Sequence, residues 1–415
     1  MLHLISKQIE ADHRRQFGSG AERRQTRLKQ TFDALVVGAG YAGAVTARAL
    51  AEKGRRVLVL ERRDHVAGNA YDRPDQAGIL IHQYGPHIFH TNDKRVFDWL
   101  SRFTQWRDYC HRVIANIPDD RGGRMTYPVP FNLTSLETAF GMEEGKRLGD
   151  KLIAAYGPEK KVTILELRQN PDPEIAALAD YVYEHVFVHY TMKQWGQTPE
   201  EIDPNTTARV PVFLSRDDRY FQDAYQGMPL EGYTVLFQRM LDHPGITVEL
   251  GTDALKRLDL SEGRICLDGA EFSGPVIYTG QADELFAFRF GPLPYRTLDF
   301  RFETLEQDDF QGCGTVNYTV DEDYTRITEF KHLTGQVKPG VTTIVKEYSR
   351  AFTGAPGETP YYAIINPEND RRYAQYRTEA ERFPNLHLLG RLAEYKYYNM
   401  DAIAARALEL AGLLT

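Results

Sequence analysis

A glycine-rich turn between an apolar run and an alanine-rich run is the strongest constraint on this 415-residue chain. Asp33-Ala34-Leu35-Val36-Val37 stops at Gly38, as a buried parallel strand would. Gly38-Ala39-Gly40-Tyr41-Ala42-Gly43 then opens a segment, Tyr41 to Lys53, that reads as a helix capped by Gly54. Arg55 to Glu61 is a second strand. In such a unit the glycines serve a tight turn, close approach of backbone to pyrophosphate, and close packing of helix on strand. The helix start offers free N–H groups and a positive dipole end to phosphates. Glu61 closes the second strand, where an acid accepts ribose hydroxyls and disfavours a 2′-phosphate. A glycine-rich turn in an ordinary α/β domain is the bland alternative. The expected core is α/β, begins at Phe32 and holds a dinucleotide.

Composition narrows the class. With 50 Lys and Arg against 58 Asp and Glu, the net charge is -8, which argues against nucleic acid as the partner. An anionic substrate remains open, because local arginines decide that. Cys110, Cys266 and Cys313 show neither zinc-like nor redox-pair spacing and fit a reducing, cytoplasmic setting. The most apolar stretch, Phe32 to Leu50, is broken by glycines and Arg48, so no stable membrane insertion is expected. Residues 1–31 mix arginines with Glu10, Asp12 and Glu22 and read as a charged, disordered arm.

Beyond Glu61, Arg62 to Asn69 resembles the extension of two-dinucleotide-binding-domain flavoproteins, in which a second small-residue turn cradles the flavin half. Gly390-Arg391, before a terminal helix from Met400 to Leu414, resembles their C-terminal return to the cofactor. FAD is therefore the expected cofactor. Apolar spacing predicts helices over Ser135 to Tyr156 and Asp172 to Val188. Strands are predicted at Ile246–Leu250, Arg264–Leu267, Val276–Gly280, Thr297–Phe302, Thr342–Tyr348 and Leu386–Leu389. The fold class that follows is a Rossmann-like FAD-binding α/β domain with a helical insertion and an antiparallel sheet domain. The FAD-binding domain would occupy 32–131, 246–290 and 386–415. A helical insertion would occupy 132–190, a substrate-binding and mobile-loop region 191–245, and the antiparallel sheet 291–385.

Several longer motifs stand in one order: Tyr84-Gly85-Pro86-His87-Ile88-Phe89-His90-Thr91, Tyr190 to Gly196, Phe221 to Tyr233, Tyr324 to Phe330, Glu347 to Arg350, and Gly390 to Met400. From Phe32 onward the chain resembles the prokaryotic UDP-galactopyranose mutases. The resemblance implies interconversion of UDP-galactopyranose and UDP-galactofuranose, with N5 of reduced FAD as nucleophile at the anomeric carbon. It also implies supply of galactofuranose for cell-surface polysaccharide. Arg209 and Arg326 match diphosphate clamps, a role that suits the planar guanidinium. Tyr220, Tyr362 and Tyr397 match phenols that donate to the same phosphates. Trp195, with Tyr190 and Phe187, matches the wall beside uridine, while Asn132, Asn317 and Thr191 match further substrate contacts. Each aromatic among them could equally be core.

The cofactor would lie on Gly38, Gly40, Tyr41, Ala42, Gly43, Glu61, Arg62, Asn69, His87, Ile88, Gly390, Arg391, Tyr398, Asn399 and Met400. In the family the loop holding His82, His87 and His90 lies against the flavin, with His87 beside the ring. A structural histidine or a metal ligand is the alternative, although the spacing matches no helix-borne metal site, and no metal is expected. The family often has aspartate two residues after Tyr397; this chain has Asn399, which keeps a hydrogen bond and removes a charge. Thr198 to Asp218, which carries Arg209, reads as a loop with a short helix that closes on substrate. A homo-oligomer, dimer or larger, is expected. An amine-oxidase-like flavoenzyme and a cofactor-loaded binding protein without turnover are the competing readings.

Overall fold

The computed structural model describes residues 32–119, 122–196 and 211–414. Arg209 and the 1–31 arm lie outside the described residues, as does most of the expected closing loop.

The apolar runs at Ala34–Val37 and Val57–Leu60 become adjacent parallel strands, Val36 opposite Val59. Ile246–Glu249 extends the sheet beyond Val57–Leu60, and Val276–Tyr278 and Leu386–Leu388 extend it on the other side, all in parallel. The inner strands are covered on both faces, which is why they read as continuous rather than alternating apolar runs. The Tyr41–Ala51 helix is buried at every residue except Arg48. Its alanines let it fit tightly among the sheet, the Tyr233–Leu241 helix and the Met400–Leu413 helix. Three segments far apart in sequence thus build one dinucleotide-binding layer.

The helical insertion departs from its expected form in one place. The helix expected over Ser135 to Tyr156 is two helices, Leu133–Phe140 and Met142–Tyr156, broken at Gly141 with φ 84°. An L side chain rarely adopts that angle, so glycine sets the corner. Further on, the Pro173–Val182 helix runs through a π-helical turn, Tyr183–Phe187, into the Val188–Trp195 helix.

A seven-stranded sheet forms the other wall of the molecule, in the order Tyr362–Ala363, Tyr295–Leu305, Thr342–Ala351, Arg326–Glu329, Thr315–Tyr318, Val113–Pro118, Arg124–Val129. It is antiparallel except where Thr315–Tyr318 runs parallel to Val113–Pro118. The expected boundary at 131/132 is therefore displaced: the two strands between 113 and 129 pair with this sheet, not with the parallel one. Pro211–Phe213, expected in a loop, is a strand paired with Lys161–Thr163.

Candidate cofactor and substrate site

The glycine turn builds a cradle that side chains would fill. Gly38 has φ 103°, and a Cβ there would lie 2.1 Å from Thr279 Oγ1. A Cβ on Gly43 would lie 1.9 Å from the Gly38 carbonyl oxygen, so the helix could not sit this close to the strand. Gly68 packs on Gly40, where a Cβ would lie 2.9 Å from the Gly40 Cα. The Ala67 N–H donates to the Ala39 carbonyl (3.0 Å), which docks the second small-residue turn on the first. The Tyr41–Ala51 helix begins with no side-chain cap and no acid in its first turn, leaving its first N–H groups for an anion.

Glu61 is 6% exposed, and its two oxygens accept from the Ala39 N–H (2.8 Å) and the Arg63 N–H (2.9 Å). Each oxygen keeps a lone pair for a hydroxyl. Arg63 lies over the Tyr84 ring at 4.2 Å and donates to Asn69 Oδ1 (2.9 Å), while its Nη1 is buried without a hydrogen-bond partner. A buried, unsatisfied cationic donor on the wall of this cleft suits an anionic guest. Gly390, with φ 108°, Arg391, Tyr398 and Met400 close the far side, and Arg391 Nε donates to the Tyr398 carbonyl (2.7 Å). The cleft therefore fits a dinucleotide with a free ribose.

A second cavity, of about 420 Å³, shares Asn69, His87, Arg391 and Met400 with this cleft. Its polar row comes from sheet register: Asn317 is opposite Arg326, and Arg326 is opposite Glu347. Arg326 Nε donates to Glu347 Oε1 at 2.6 Å; the carboxylate side chain is 1% exposed and the guanidinium 26%. Burial opposes the arginine's charge, but Glu347 outweighs it and holds the group more basic than usual. Asn317 Oδ1 is buried without a partner. Burial, then Tyr397, pushes the Tyr362 phenol up to about 12, so it stays a donor. Tyr362 lies beside Tyr397 (ring centroids 6.1 Å apart) and Trp195 (5.3 Å).

His87 donates from Nδ1 to the Gly85 carbonyl (2.8 Å), and its backbone N–H donates to His82 Nδ1 (3.0 Å). A carbonyl only accepts, so the proton is on Nδ1 and Nε2 is the acceptor. Burial, helped by His82, lowers its pKa to about 3.

Most expected residues converge. Gly38, Gly40, Tyr41, Ala42, Glu61, Arg62, Asn69, His87, Gly390, Arg391, Tyr398 and Met400 line the first cleft. Ile88 and Asn399 line the second cavity, with Tyr190, Tyr220, Asn317, Arg326, Tyr362 and Tyr397. Gly43 serves helix packing, and Trp195 reaches the site through Tyr362. Three other expected residues are not on the walls of these two cavities. Asn132 is fully buried as a helix N-cap; its Oδ1 accepts from the Ser135 N–H (3.0 Å) and its Nδ2 donates to Asp218 Oδ1 (2.8 Å). Its hydrogen-bonding atoms are committed to the helix start and the following strand's exit. Phe187 is 1% exposed within the helical core and Thr191 is 5% exposed on its helix, away from the walls of these two cavities.

Sequence reasoning missed Arg63, His111 and Lys161 on the walls, since a lone residue of each type carries no local signal. It also missed Arg296, which is 8% exposed and donates to the carbonyls of Gln194 (3.2 Å) and Lys193 (3.1 Å). Lys193 Nζ in turn donates to the carbonyls of Tyr318 (2.6 Å) and Glu322 (3.0 Å). Two cations thus pin the end of the Val188–Trp195 helix to the large sheet. Elsewhere, His332 Nε2 comes within 2.9 Å of Asp309 and 3.7 Å of Glu329. Glu329 already accepts from two backbone N–H groups and Thr342, as a structural knot does.

Residues 185–397 match the UDP-galactopyranose mutase family, and residues 36–103 match the NAD(P)-binding Rossmann-like domain. The UDP-galactopyranose mutase of Mycoplasma genitalium is 36% identical, over 89% of this chain and 92% of its own. The chain belongs to the UDP-galactopyranose mutase family. The dTDP-fucopyranose mutase of Escherichia coli is also similar, 35% identical over 91% of this chain and 97% of its own. A solved structure of reduced UDP-galactopyranose mutase superposes with a TM-score of 0.66 at 16% identity, covering 92% of this chain and 93% of that one. A putrescine oxidase superposes at 0.58 and 14% identity, covering 92% and 98%. Both share this fold, and family and fold together imply a flavin. Among the described residues no helix is long and apolar enough to cross a membrane.

Proposed function

We propose that the protein interconverts UDP-galactopyranose and UDP-galactofuranose, with FAD in the first cleft and the nucleotide sugar in the second cavity. The observation that carries this reading is Asn317 and Arg326, with Glu347 buried behind the arginine, on the wall of a cavity that shares residues with the dinucleotide cradle. FAD is favoured over FMN because Glu61 is fixed for a ribose that FMN lacks. When bound and reduced, the flavin supplies at N5 the nucleophile for the anomeric carbon. The chain supplies the rest. Arg326, with Arg209, neutralises the diphosphate; Tyr220, Tyr362 and Tyr397 donate to it; Trp195 and Tyr190 flank uracil; Asn317 holds the sugar through its unpaired oxygen. His87 presents an acceptor nitrogen where the two cavities meet. A cytoplasmic homo-oligomer that supplies galactofuranose for cell-surface polysaccharide completes the proposal.

The purified protein is expected to be yellow and to release FAD on denaturation. Dithionite-reduced protein is expected to convert UDP-galactofuranose to UDP-galactopyranose on chromatography, and oxidised protein is not. Full activity in the oxidised state would overturn the reading. The likeness to the dTDP-fucopyranose mutase gives a second reading, a dTDP-linked 6-deoxy sugar. The same assay with dTDP-fucofuranose separates the two through kcat/KM.

A further inference from the structure

Three histidines, His87, His90 and His111, line the substrate cavity, and they are not equivalent. Burial, helped by His82, holds His87 neutral, and burial, helped by Arg326 and His90, lowers His111 to about 3. His87 Nδ1 is spent on the Gly85 carbonyl and His111 Nδ1 meets the Tyr109 hydroxyl at 3.3 Å, neither of them a carboxylate that would steady an imidazolium. His90 does. Its Nδ1 lies 2.9 Å from Asp223 Oδ2, and its ring stacks on Phe221 at 3.6 Å and 13°. The other carboxylate oxygen of Asp223 accepts from Asn92 Nδ2 (2.7 Å), and Asn92 Oδ1 accepts from the Ala224 N–H (2.9 Å). The carboxylate is therefore held from behind, and its bond to His90 lowers its own pKa. With Nδ1 engaged, the other ring nitrogen is the one left for proton exchange.

We propose that His90, oriented by Asp223, is the proton carrier for the ring opening and closing; this rests on the mutase reading above. When the pyranose opens, the bond between the anomeric carbon and the ring oxygen breaks. The electron pair leaves on oxygen, which takes a proton from the His90 imidazolium. When the furanose closes, the 4-hydroxyl oxygen bonds to the same carbon and returns its proton to His90. Substrate and product are isomers, no electrons are transferred overall, and the imidazolium is regenerated. Asp223 is the positioning residue of this pair. The other titratable groups lining the cavity are Tyr84, His87, His111, Lys161, Tyr190, Tyr220, Arg326, Tyr361, Tyr362, Arg391 and Tyr397; Glu347 is engaged by Arg326.

The test follows reduced holoenzyme converting UDP-galactofuranose across pH, with UDP affinity measured by calorimetry. His90→Gln is expected to lower kcat by about a hundredfold or more, with UDP affinity and the flavin spectrum unchanged. Imidazole added to His90→Ala is expected to restore part of the rate. Asp223→Asn is expected to lower kcat with KM and UDP affinity unchanged, because the His90 ring loses the carboxylate that orients it. Wild-type kcat in His90→Gln would overturn the proposal, and so would a loss confined to KM or an absence of imidazole rescue. Wild-type protein inert toward UDP-galactofuranose would overturn the mutase reading, and the proposal with it.

Discussion

Arg326 and Glu347 show why a single substitution at this site would mislead. Removing the guanidinium leaves a carboxylate that is 1% exposed without its charge partner, with Oε2 already lacking any hydrogen bond. Breaking such a buried pair costs about 3–5 kcal/mol of stability. Arg326→Ala is expected to lower both urea resistance and turnover. In Arg326→Ala/Glu347→Gln the fold should recover while turnover stays at least about a hundredfold down, since on the proposed function the electrostatic stabilisation of the departing diphosphate is still missing. Parallel urea denaturation and kinetics of both variants separate the two roles. Gly38 gives a simpler expectation. Gly38→Ala places a methyl against Thr279 Oγ1 at a backbone angle that disfavours it, so the protein should purify with little flavin absorbance.

At the scale of elements, the Val188–Trp195 helix depends on cations that no helix pattern would flag. Arg296 and Lys193 bind carbonyl oxygens without a carboxylate among those bonds, and burial lowers the pKa of both. Arg296→Met keeps the bulk and takes away the Lys193 carbonyl's cationic donor, while the Gln194 carbonyl keeps only the Ser349 hydroxyl. The expected result is about 1–3 kcal/mol lost in urea denaturation, with KM for the UDP-sugar raised more than kcat is lowered, because Trp195 loses its seat. Arg296→Lys is expected to recover part of both. The helices themselves were legible from apolar spacing at three and four residues. The corner at Gly141 was not, because a glycine inside a helical pattern gives the same periodicity whether it continues or turns. Asn132 was misread for a related reason. An amide before an apolar run serves equally as helix cap and as ligand contact, and only Asp218 and Ser135 around it decide.

For the whole molecule, the parallel layer was readable from the Gly38–Glu61 unit because each glycine answers a steric demand that no other residue meets. The seven-stranded sheet was only partly readable, since Val113–Pro118 pairs with a strand about two hundred residues later and carries Arg124–Val129 into the sheet with it. Local patterning carries no record of such partners. Global stability should also have an acid-sensitive component. Burial lowers His82 to about 4 and His87 and His111 to about 3, against an ordinary value near 6.5. Between those values the unfolded chain binds more protons, so this contribution is intact above pH 6.5 and is lost as pH falls toward 3. The melting temperature is expected to drop across that interval, and His82→Phe, if it folds, should flatten the drop.

The order in which the cradle's parts are synthesised has its own consequence. Gly38, Glu61 and Asn69 emerge early, yet the cleft also needs Thr279 and then Gly390, Arg391 and Met400. A nascent chain exposing only the first strand–helix–strand unit offers half a binding surface, with the apolar face of the Tyr41–Ala51 helix uncovered until the Met400–Leu413 helix arrives. Cofactor capture therefore waits until the Met400–Leu413 segment has been made, and cells starved of flavin should accumulate a late, chaperone-dependent species with this helix still bare.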